Sequence, residues 1–253
     1  MDREALLTII TPTFNCREDL GYTLASIREQ NWKGFEWIIV DGGSFDGTLA
    51  VVHVNADLVT HWVSEPDRGI YDAMNKGMTL AHGRYVQFLN AGDVFFSENS
   101  LDRVASVLND SKPDALFGRF HVTDAKYQKI FDLTPRHFTL ENLRHYGTAT
   151  VNHQAMFIRR SIAPKYSLRY RLKGELNWYI DIVEQNPRLK SHYVSFPIIK
   201  YRVGGAGNVA YQRNLLEWIS VVQRRFGTIQ NLRNINRYRA FLRYIAYVKQ
   251  FYA

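Results

Sequence analysis

The chain has 253 residues, of which 46% are hydrophobic and 22% are charged, and this composition excludes a mainly disordered protein. No run approaches the roughly 18 to 20 apolar residues that cross a bilayer, and no apolar leader follows the first residues, so we expect an unexported protein without a membrane-spanning helix. The single cysteine, Cys16, cannot form an internal disulfide, which favours a reducing cytoplasm.

The net charge of +8 is concentrated near the carboxyl end of the chain. Residues 211–253 contain eight basic residues, one acidic residue (Glu217) and nine aromatic residues. Apolar positions from Tyr238 to Tyr252 follow helical spacing, which predicts a basic amphipathic helix. Three interpretations of this tail stay open: a helix packed on the main domain, a helix lying on an anionic membrane surface and, with least support, a nucleic-acid contact.

In the first part of the chain, apolar runs of strand length alternate with segments of helical periodicity. Strands are predicted at 6–11, 35–40, 59–63 and 85–89. Helices are predicted at 19–30, from 46, from 70 and at 99–108. This alternation indicates βαβ units, and therefore a largely parallel sheet covered by helices.

Beyond residue 108 the alternation is less regular. The pattern predicts strands at 114–122, 151–158 and 193–201, a helix at 175–185, a polar loop containing His137, His145 and Tyr146, and a glycine-rich hinge at 204–207. No internal repeat or long linker divides the chain. We therefore predict one continuous α/β domain at 1–210, with halves at 1–96 and 97–210, followed by a helical tail at 211–253.

Polar motifs follow the four predicted strands of the first half. They are 11–15 (TPTFN), 41–44 (DGGS), 65–69 (EPDRG) and 90–93 (NAGD). Each motif alone is ordinary turn chemistry, but the carboxyl ends of parallel strands meet at one edge of a sheet. Carboxylates there can accept hydrogen bonds from ribose hydroxyls or a base N–H, and paired glycines allow close approach. The combination predicts a nucleotide site, although no Gly-rich phosphate loop follows the first strand.

These segments resemble the family 2 glycosyltransferases of GT-A fold. The resemblance is carried by 8–15 (TIITPTFN), 39–48 (IVDGGSFDGT), 64–77 (SEPDRGIYDAMNKG) and 88–93 (FLNAGD). Within the family, the chain is most similar to bacterial transferases that assemble colanic acid, capsule and O-antigen. The match is dense over 6–96, sparser to about 208, and does not cover the tail. It implies a Rossmann-like, mostly parallel mixed sheet flanked by helices, with the tail as a helical extension.

The resemblance also implies a site for a nucleotide-diphosphate sugar donor. The matching positions are Pro12, Thr13, Asn15, Asp41, Asp67, Lys76, Asn90 and Asp93. Asp41 matches the aspartate that binds base or ribose, and Asp67 matches the acidic residue after the third strand. Lys76 is expected near a donor phosphate, although a solvated helix face explains it almost as well.

The segment at 90–93 matches the metal-binding D-x-D motif of the family. The resemblance implies Mn²⁺ or Mg²⁺ as cofactor, with Asp93 as the metal ligand. This chain departs from the pattern, because Asn90 and Gly92 stand where many relatives carry carboxylates. The donor diphosphate would therefore supply much of the remaining coordination.

The acceptor half contains the expected catalytic base. Segment 173–180 (KGELNWYI) matches the family helix that begins with an acidic residue, and Glu175 occupies that position, where relatives more often have Asp. Asp181 is the reserve candidate, and a first-turn acid favoured by the helix dipole is the structural alternative for Glu175. His153 and Gln154 match a segment on the acceptor or phosphate side, and 201–205 (YRVGG) matches a flexible loop that closes over the donor.

Together these features predict an inverting glycosyltransferase. Its partners would be a nucleotide-diphosphate sugar and a hydroxyl of a lipid-linked bacterial surface polysaccharide intermediate. The tail could hold the enzyme against the cytoplasmic face of the inner membrane. A non-catalytic nucleotide-sugar-binding module and, with less support, a sugar nucleotidyltransferase are the alternatives, and no nucleic-acid partner is expected.

Overall fold

The computed structural model describes residues 5–252, apart from the side chains of Ala206 and Gly207. The predicted hinge at 204–207 includes those two residues, so their side chains lie outside the description. Within the described range the strands form one sheet: β1 (Leu7–Thr13), β2 (Phe35–Asp41), β3 (His61–Ser64), β4 (Tyr85–Phe88), β5 (Val94–Phe95), β6 (Ala115–Thr123), β7 (Lys129–Leu133), β8 (Met156–Arg159) and β9 (Ser191–Arg202).

The sheet is parallel in its first half and mixed in its second. Its order is β3-β2-β1-β4-β8-β6-β9-β5, with β7 paired to β6. β1 runs parallel to β2 and β4, and β2 runs parallel to β3. β8 is antiparallel to β4 and β6, whereas β9 is parallel to β6 and antiparallel to β5. The carboxyl ends of β1 to β4 therefore share one edge, as the sequence predicts.

Helices cover both faces of the sheet. They are α1 (Arg17–Arg28), α2 (Thr48–Val54), α3 (Ile70–Leu80), α4 (Ser100–Asp110), α5 (Leu140–Tyr146), α6 (Gly174–Gln185), α7 (Ala206–Val209), α8 (Tyr211–Arg233) and α9 (Ile235–Val248). The first strands are buried on both sides, so alternate residues enter two cores. Ile10 and Val40 pack with α3 and α6, whereas Ile9 and Ile39 pack with α1 and α4.

The carboxyl-terminal tail packs on the rest of the molecule. Trp218 and Val221 of α8 join the core on one face of the sheet, and Ile245 and Val248 of α9 join the core on the other. Gly227, with φ of +80°, interrupts α8. The helix predicted from the spacing at 238–252 corresponds to α9, and α8 precedes it. The interpretation as a packed helix accounts for the buried residues of the tail.

Two predicted elements of the second half differ in part from the structure, and each difference has a local cause. Residues 153–155 form a short 3-10 helix because Asn152 Oδ1 accepts the Gln154 N–H, so the strand predicted at 151–158 begins only at Met156. The predicted polar loop between 122 and 151 contains two regular elements, β7 and α5, and α5 begins where Thr139 Oγ1 accepts the Asn142 N–H.

Candidate active site

Asp41, the last residue of β2, is the centre of a hydrogen-bond network at the sheet edge. Its Oδ1 accepts from Thr13 Oγ1 at 3.1 Å and Ser44 Oγ at 2.5 Å. Its Oδ2 accepts from the N–H groups of Gly43 and Ser44 and from Ser64 Oγ. Burial alone would raise the pKa of Asp41, but these hydrogen bonds outweigh it and hold the pKa below its usual value. The carboxylate is ionised and its acceptor sites are filled.

The loops after β1, β2 and β3 are held together by direct contacts. Asn15, at φ of +46°, donates its N–H to Ser44 Oγ at 2.8 Å and accepts the Phe45 N–H on Oδ1 at 3.0 Å. An added Cβ on Gly42 would lie 2.6 Å from Asp67 Oδ2, so these two residues are in close contact. Asp67 is half-buried and, within residues 5–252, its side chain accepts only the Gly69 N–H. It is the freer of the two carboxylates.

Two other predicted donor residues lie on this edge with defined partners. Pro12 is buried in β1 beside Val40 of β2. Lys76 Nζ is 2.8 Å from Glu65 Oε1 and 3.0 Å from the Pro66 carbonyl oxygen. These two contacts use two of the three ammonium N–H donors of Lys76.

Asp93 is buried after β4, where residues from three segments meet. Its Oδ1 accepts the Arg202 N–H and its Oδ2 accepts from Gln154 Nε2, both at 3.0 Å. Burial raises the pKa of the Asp93 carboxyl to about 7, against the opposing effect of these donors. Nearby, Asn90 Oδ1 is buried without a hydrogen-bond partner among the described residues. An unpartnered amide oxygen and a buried carboxylate fit a hard divalent cation.

Glu175 lies in the first turn of α6 and forms the second acidic centre. His153 Nδ1 lies 3.4 Å from Glu175 Oε2, the Tyr71 hydroxyl donates to the same oxygen at 3.3 Å, and Lys173 Nζ is 4.0 Å from Oε1. Burial would raise the pKa of Glu175, but His153, Lys173 and Tyr71 outweigh it and hold the pKa below its usual value. Burial lowers the pKa of Lys173 despite the neighbouring carboxylates.

A cavity of about 830 Å³ connects Asp93 with Glu175. His153, Gln154 and Asn90 also line it, whereas Asp41 and Asp67 lie outside its lining. The predicted residues thus form two neighbouring groups, one at the ends of β1 to β3 and one inside the cavity. His153 Nε2 is buried there without a partner among residues 5–252, which leaves it free to bind a ligand.

Asp181, the reserve candidate for the base, does not reach this cavity. Its Oδ1 is 2.8 Å from Arg225 Nη1, and its Oδ2 accepts from Asn177 Nδ2 at 2.8 Å. The carboxylate is committed to an ion pair between α6 and α8. The geometry therefore favours Glu175.

The cavity also contains residues that the sequence analysis did not single out. Lys173, Arg202 and Tyr71 each contact one of the two acidic centres. Trp218, Phe241, Tyr244 and Tyr252 of the tail form part of the wall. Lys173 and Arg202 lie inside the motifs quoted above, so the sequence could have identified them as site residues. The tail residues could not be identified in this way, because their position depends on how α8 and α9 pack.

Comparison with known proteins identifies the family. The model for Glycosyl transferase family 2 matches residues 8–167, which is more than half of the chain. The chain belongs to glycosyl transferase family 2. The resemblance seen in the sequence motifs is thereby confirmed, and the protein is a glycosyltransferase.

Among similar curated proteins, the PGL/p-HBAD biosynthesis glycosyltransferase of Mycobacterium bovis is 32% identical to this enzyme over 225 residues, covering 84% of this chain and 83% of that protein. The putative teichuronic acid biosynthesis glycosyltransferase TuaG of Bacillus subtilis is 37% identical over 91 residues, covering 35% of this chain and 36% of that protein.

Solved structures confirm the GT-A fold. TarS of Staphylococcus aureus superposes with a TM-score of 0.66 at 15% identity, covering 86% of this enzyme but only 39% of the TarS chain. The mannosyltransferase PcManGT of Pyrobaculum calidifontis, in complex with GDP-Man and Mn²⁺, superposes with a TM-score of 0.64 at 17% identity, covering 95% of this enzyme and 70% of that chain. No helix within residues 5–252 is long and apolar enough to cross a membrane.

Proposed function

We propose that this enzyme transfers a sugar from a nucleotide-diphosphate sugar to an acceptor hydroxyl with inversion, and that Glu175 is the catalytic base. The observation that carries the proposal is that Glu175 and Asp93 line one cavity, in which His153, Lys173 and Tyr71 lower the pKa of Glu175 and so favour its ionised form. A carboxylate in this state can accept the hydroxyl proton while the diphosphate leaves from the opposite side of the sugar. A single displacement of this kind inverts the anomeric carbon.

The donor nucleotide is assigned to the ends of β1, β2 and β3. Because the acceptor sites of Asp41 are filled by the protein, its role here is to hold the 41–44 loop in shape. Asp67 is half-buried and accepts fewer hydrogen bonds from the protein than Asp41 does, so it is the better partner for a ribose hydroxyl or base N–H. Pro12, Thr13 and Asn15 complete this surface. TarS fragments crystallised with UDP and UDP-GlcNAc, and PcManGT with GDP-Man, support the donor class without selecting a base.

A divalent cation, Mn²⁺ or Mg²⁺, is the proposed cofactor. Asp93 would hold it, with Asn90 Oδ1 as a further oxygen donor. When bound, such an ion neutralises the charge that grows on the departing diphosphate. Gln154 and the Arg202 backbone keep Asp93 oriented, and Arg202 is itself fixed by an ion pair with Asp19. PcManGT, whose structure contains Mn²⁺, supports this assignment.

The acceptor is proposed to enter the cavity from the side formed by the tail. In this division, residues 1–96 bind the donor, 97–210 supply the base, and 211–253 complete the acceptor wall. The guanidinium groups of Arg136 and Arg237 lie 4.0 and 4.3 Å from the centre of the Tyr146 ring. Neither has a carboxylate at ion-pair distance within residues 5–252. Aromatic surface beside unpaired cations suits a lipid-linked glycan carrying phosphate.

Association with a membrane surface is proposed for the bend between α8 and α9. Ile229, Leu232 and Ile235 are exposed by 69%, 63% and 42%, and Arg233 and Arg239 are exposed beside them. Apolar side chains surrounded by arginines suit the headgroup region of an anionic bilayer. This would hold the enzyme on the cytoplasmic face of the membrane, where a lipid-linked bacterial glycan intermediate is presented.

The test of the catalytic proposal compares two carboxylates on one helix. Glu175→Gln should lower kcat by about 10²–10⁴-fold while donor binding, measured by thermal shift with nucleotide and Mn²⁺, stays intact. Asp181→Asn is the control and should keep most of the activity in correctly folded protein. Equal losses for both variants would contradict the assignment of Glu175. Donor binding without turnover in the wild type, with every donor and acceptor tried, would favour the non-catalytic module.

The membrane proposal needs point variants rather than removal of the tail, because Trp218 and Val221 belong to the core. Ile229→Gln combined with Leu232→Gln should reduce flotation with anionic vesicles, and neutral vesicles should bind the wild type weakly. Val54→Gln, at a residue 82% exposed on α2, is the matched control. Unchanged flotation of the double variant would exclude this surface as the membrane contact.

A further inference from the structure

Glu36, His61 and His82 form a cluster at the end of the sheet opposite the active site. One ligand atom from each residue lies within 4.8 Å of the other two. Glu36 is the second residue of β2 and Asp41 is the last. At about 3.3 Å per residue, the cluster is roughly 16 Å from the Asp41 network, so it is separate from the donor and metal positions discussed above.

The Glu36 carboxylate is fixed in place by its neighbours. Its Oε2 accepts from Thr8 Oγ1 and from the His82 N–H, and Thr8 Oγ1 in turn accepts the Gly83 N–H. These bonds leave Oε1 facing His82 Nδ1 at 3.0 Å. A hydrogen-bonded, oriented carboxylate of this kind is typical of metal ligands.

An ion in solvent can reach the two histidine side chains. The His82 side chain is 72% exposed, whereas that of Glu36 is 8% exposed. The His61 and His82 ring centres lie 6.2 Å apart, and His61 is exposed at the start of the edge strand β3. Ligands at about 2.0–2.1 Å from a tetrahedral zinc lie roughly 3.3 Å from one another. The Glu36–His82 pair already has nearly this separation, and a rotation of the exposed His61 side chain would complete it.

We propose that Glu36, His61 and His82 bind Zn²⁺, with water in the fourth position. Two imidazoles and one carboxylate are a donor set that suits zinc better than Mg²⁺. The ion would tie edge strand β3 to β2 and to the turn between α3 and β4. Its effect is on the stability of the sheet edge, and the proposal does not depend on the transfer reaction proposed above.

The experiment measures zinc binding to the full chain after treatment with a chelator and desalting. Competition with a chromophoric chelator should give one tight site, and Co²⁺ should give the visible spectrum of a four-coordinate ion. His61→Gln and His82→Gln should each weaken zinc binding by at least about tenfold and remove that spectrum. His53→Gln, at an exposed histidine of α2, is the matched control and should bind zinc as the wild type does.

Thermal unfolding supplies a second measurement, because an ion that binds only the folded state raises the Tm. Zinc should raise the Tm of the wild type and of His53→Gln, but not that of His61→Gln. Zinc binding of equal affinity in the wild type and His61→Gln, or no tight binding to the wild type, would overturn the proposal. Because His61 is exposed, its replacement should leave the fold intact. Nucleotide binding by His61→Gln, measured separately, tests whether the fold is intact.

Discussion

Glu217 of the tail holds the backbone of Lys173 immediately before the helix that carries the proposed base. Its Oε2 accepts the N–H groups of Arg171, Leu172 and Lys173 at 3.0, 2.7 and 3.1 Å. Burial would raise the pKa of Glu217, but these bonds and the Arg213 side chain hold the pKa below its usual value. The single acidic residue of the basic tail thus fixes the turn that leads into Glu175.

Replacing Glu217 should therefore affect catalysis at a distance. We expect Glu217→Ala to lower the free energy of unfolding by about 1–3 kcal/mol, because three N–H groups lose a charged acceptor. We also expect kcat to fall while KM for the donor stays nearly constant, because the turn positions Glu175 and not the nucleotide. Glu98→Ala, at an exposed glutamate, is the control. A change confined to donor KM would count against the positioning role.

Removing His153 should change the pH dependence of the reaction. Burial opposes the charge of Glu175, and the hydrogen bond and charge of His153 are the foremost interactions that keep its pKa low. In His153→Gln the charge of His153 is lost while Glu175 stays buried, so the pKa of Glu175 should rise. The acid limb of the kcat/KM profile should then move to higher pH, and His53→Gln should leave it in place. An acid limb that stays where it is in the wild type would contradict this coupling.

Replacing Asp93 should remove the response to divalent ions. In Asp93→Asn, Mn²⁺ should no longer increase the thermal shift produced by a nucleoside diphosphate, because the carboxylate proposed to bind the active-site ion is gone. Turnover should fall by about 10²-fold or more. Asp102→Asn, at an exposed position in the first turn of α4, should respond to Mn²⁺ as the wild type does. An undiminished Mn²⁺ effect in Asp93→Asn would place the metal elsewhere.

Adding a side chain at Gly42 should weaken donor binding. An alanine Cβ would lie 2.6 Å from Asp67 Oδ2 and 3.3 Å from Phe14 Cδ2, so Asp67 would have to move. We expect Gly42→Ala to weaken nucleotide binding by about tenfold, the equivalent of roughly 1.4 kcal/mol. Gly21→Ala is the control, since its Cβ meets nothing within 4 Å on helix α1. Nucleotide binding equal to the wild type would show that Asp67 does not contact the donor.

The strands and motifs of the first half could be predicted because their signals are local. Continuous apolar runs specify buried strands, and Asp41, Asp67 and Asp93 follow three of them closely. Parallel pairing of β1 with β2 and β4 then brings the strand ends to one edge. In the second half the short 3-10 helix at 153–155 and α5 depend on side-chain caps at Asn152 and Thr139, which the pattern of apolar residues does not contain.

By itself, the sequence determined the α/β fold class, because apolar periodicity encodes local structure, and the resemblance of its short motifs to the family made Glu175 and Asp93 candidates. Only the tertiary structure distinguished the surroundings of Glu175 and Asp181, since Glu175 lines the cavity and Asp181 is paired with Arg225. Only packing, too, brought Trp218 of the tail to the cavity wall and Glu217 to the backbone of Lys173. Contacts between residues far apart in the chain depend on how helices are placed on the sheet, and spacing along the sequence carries no record of that placement.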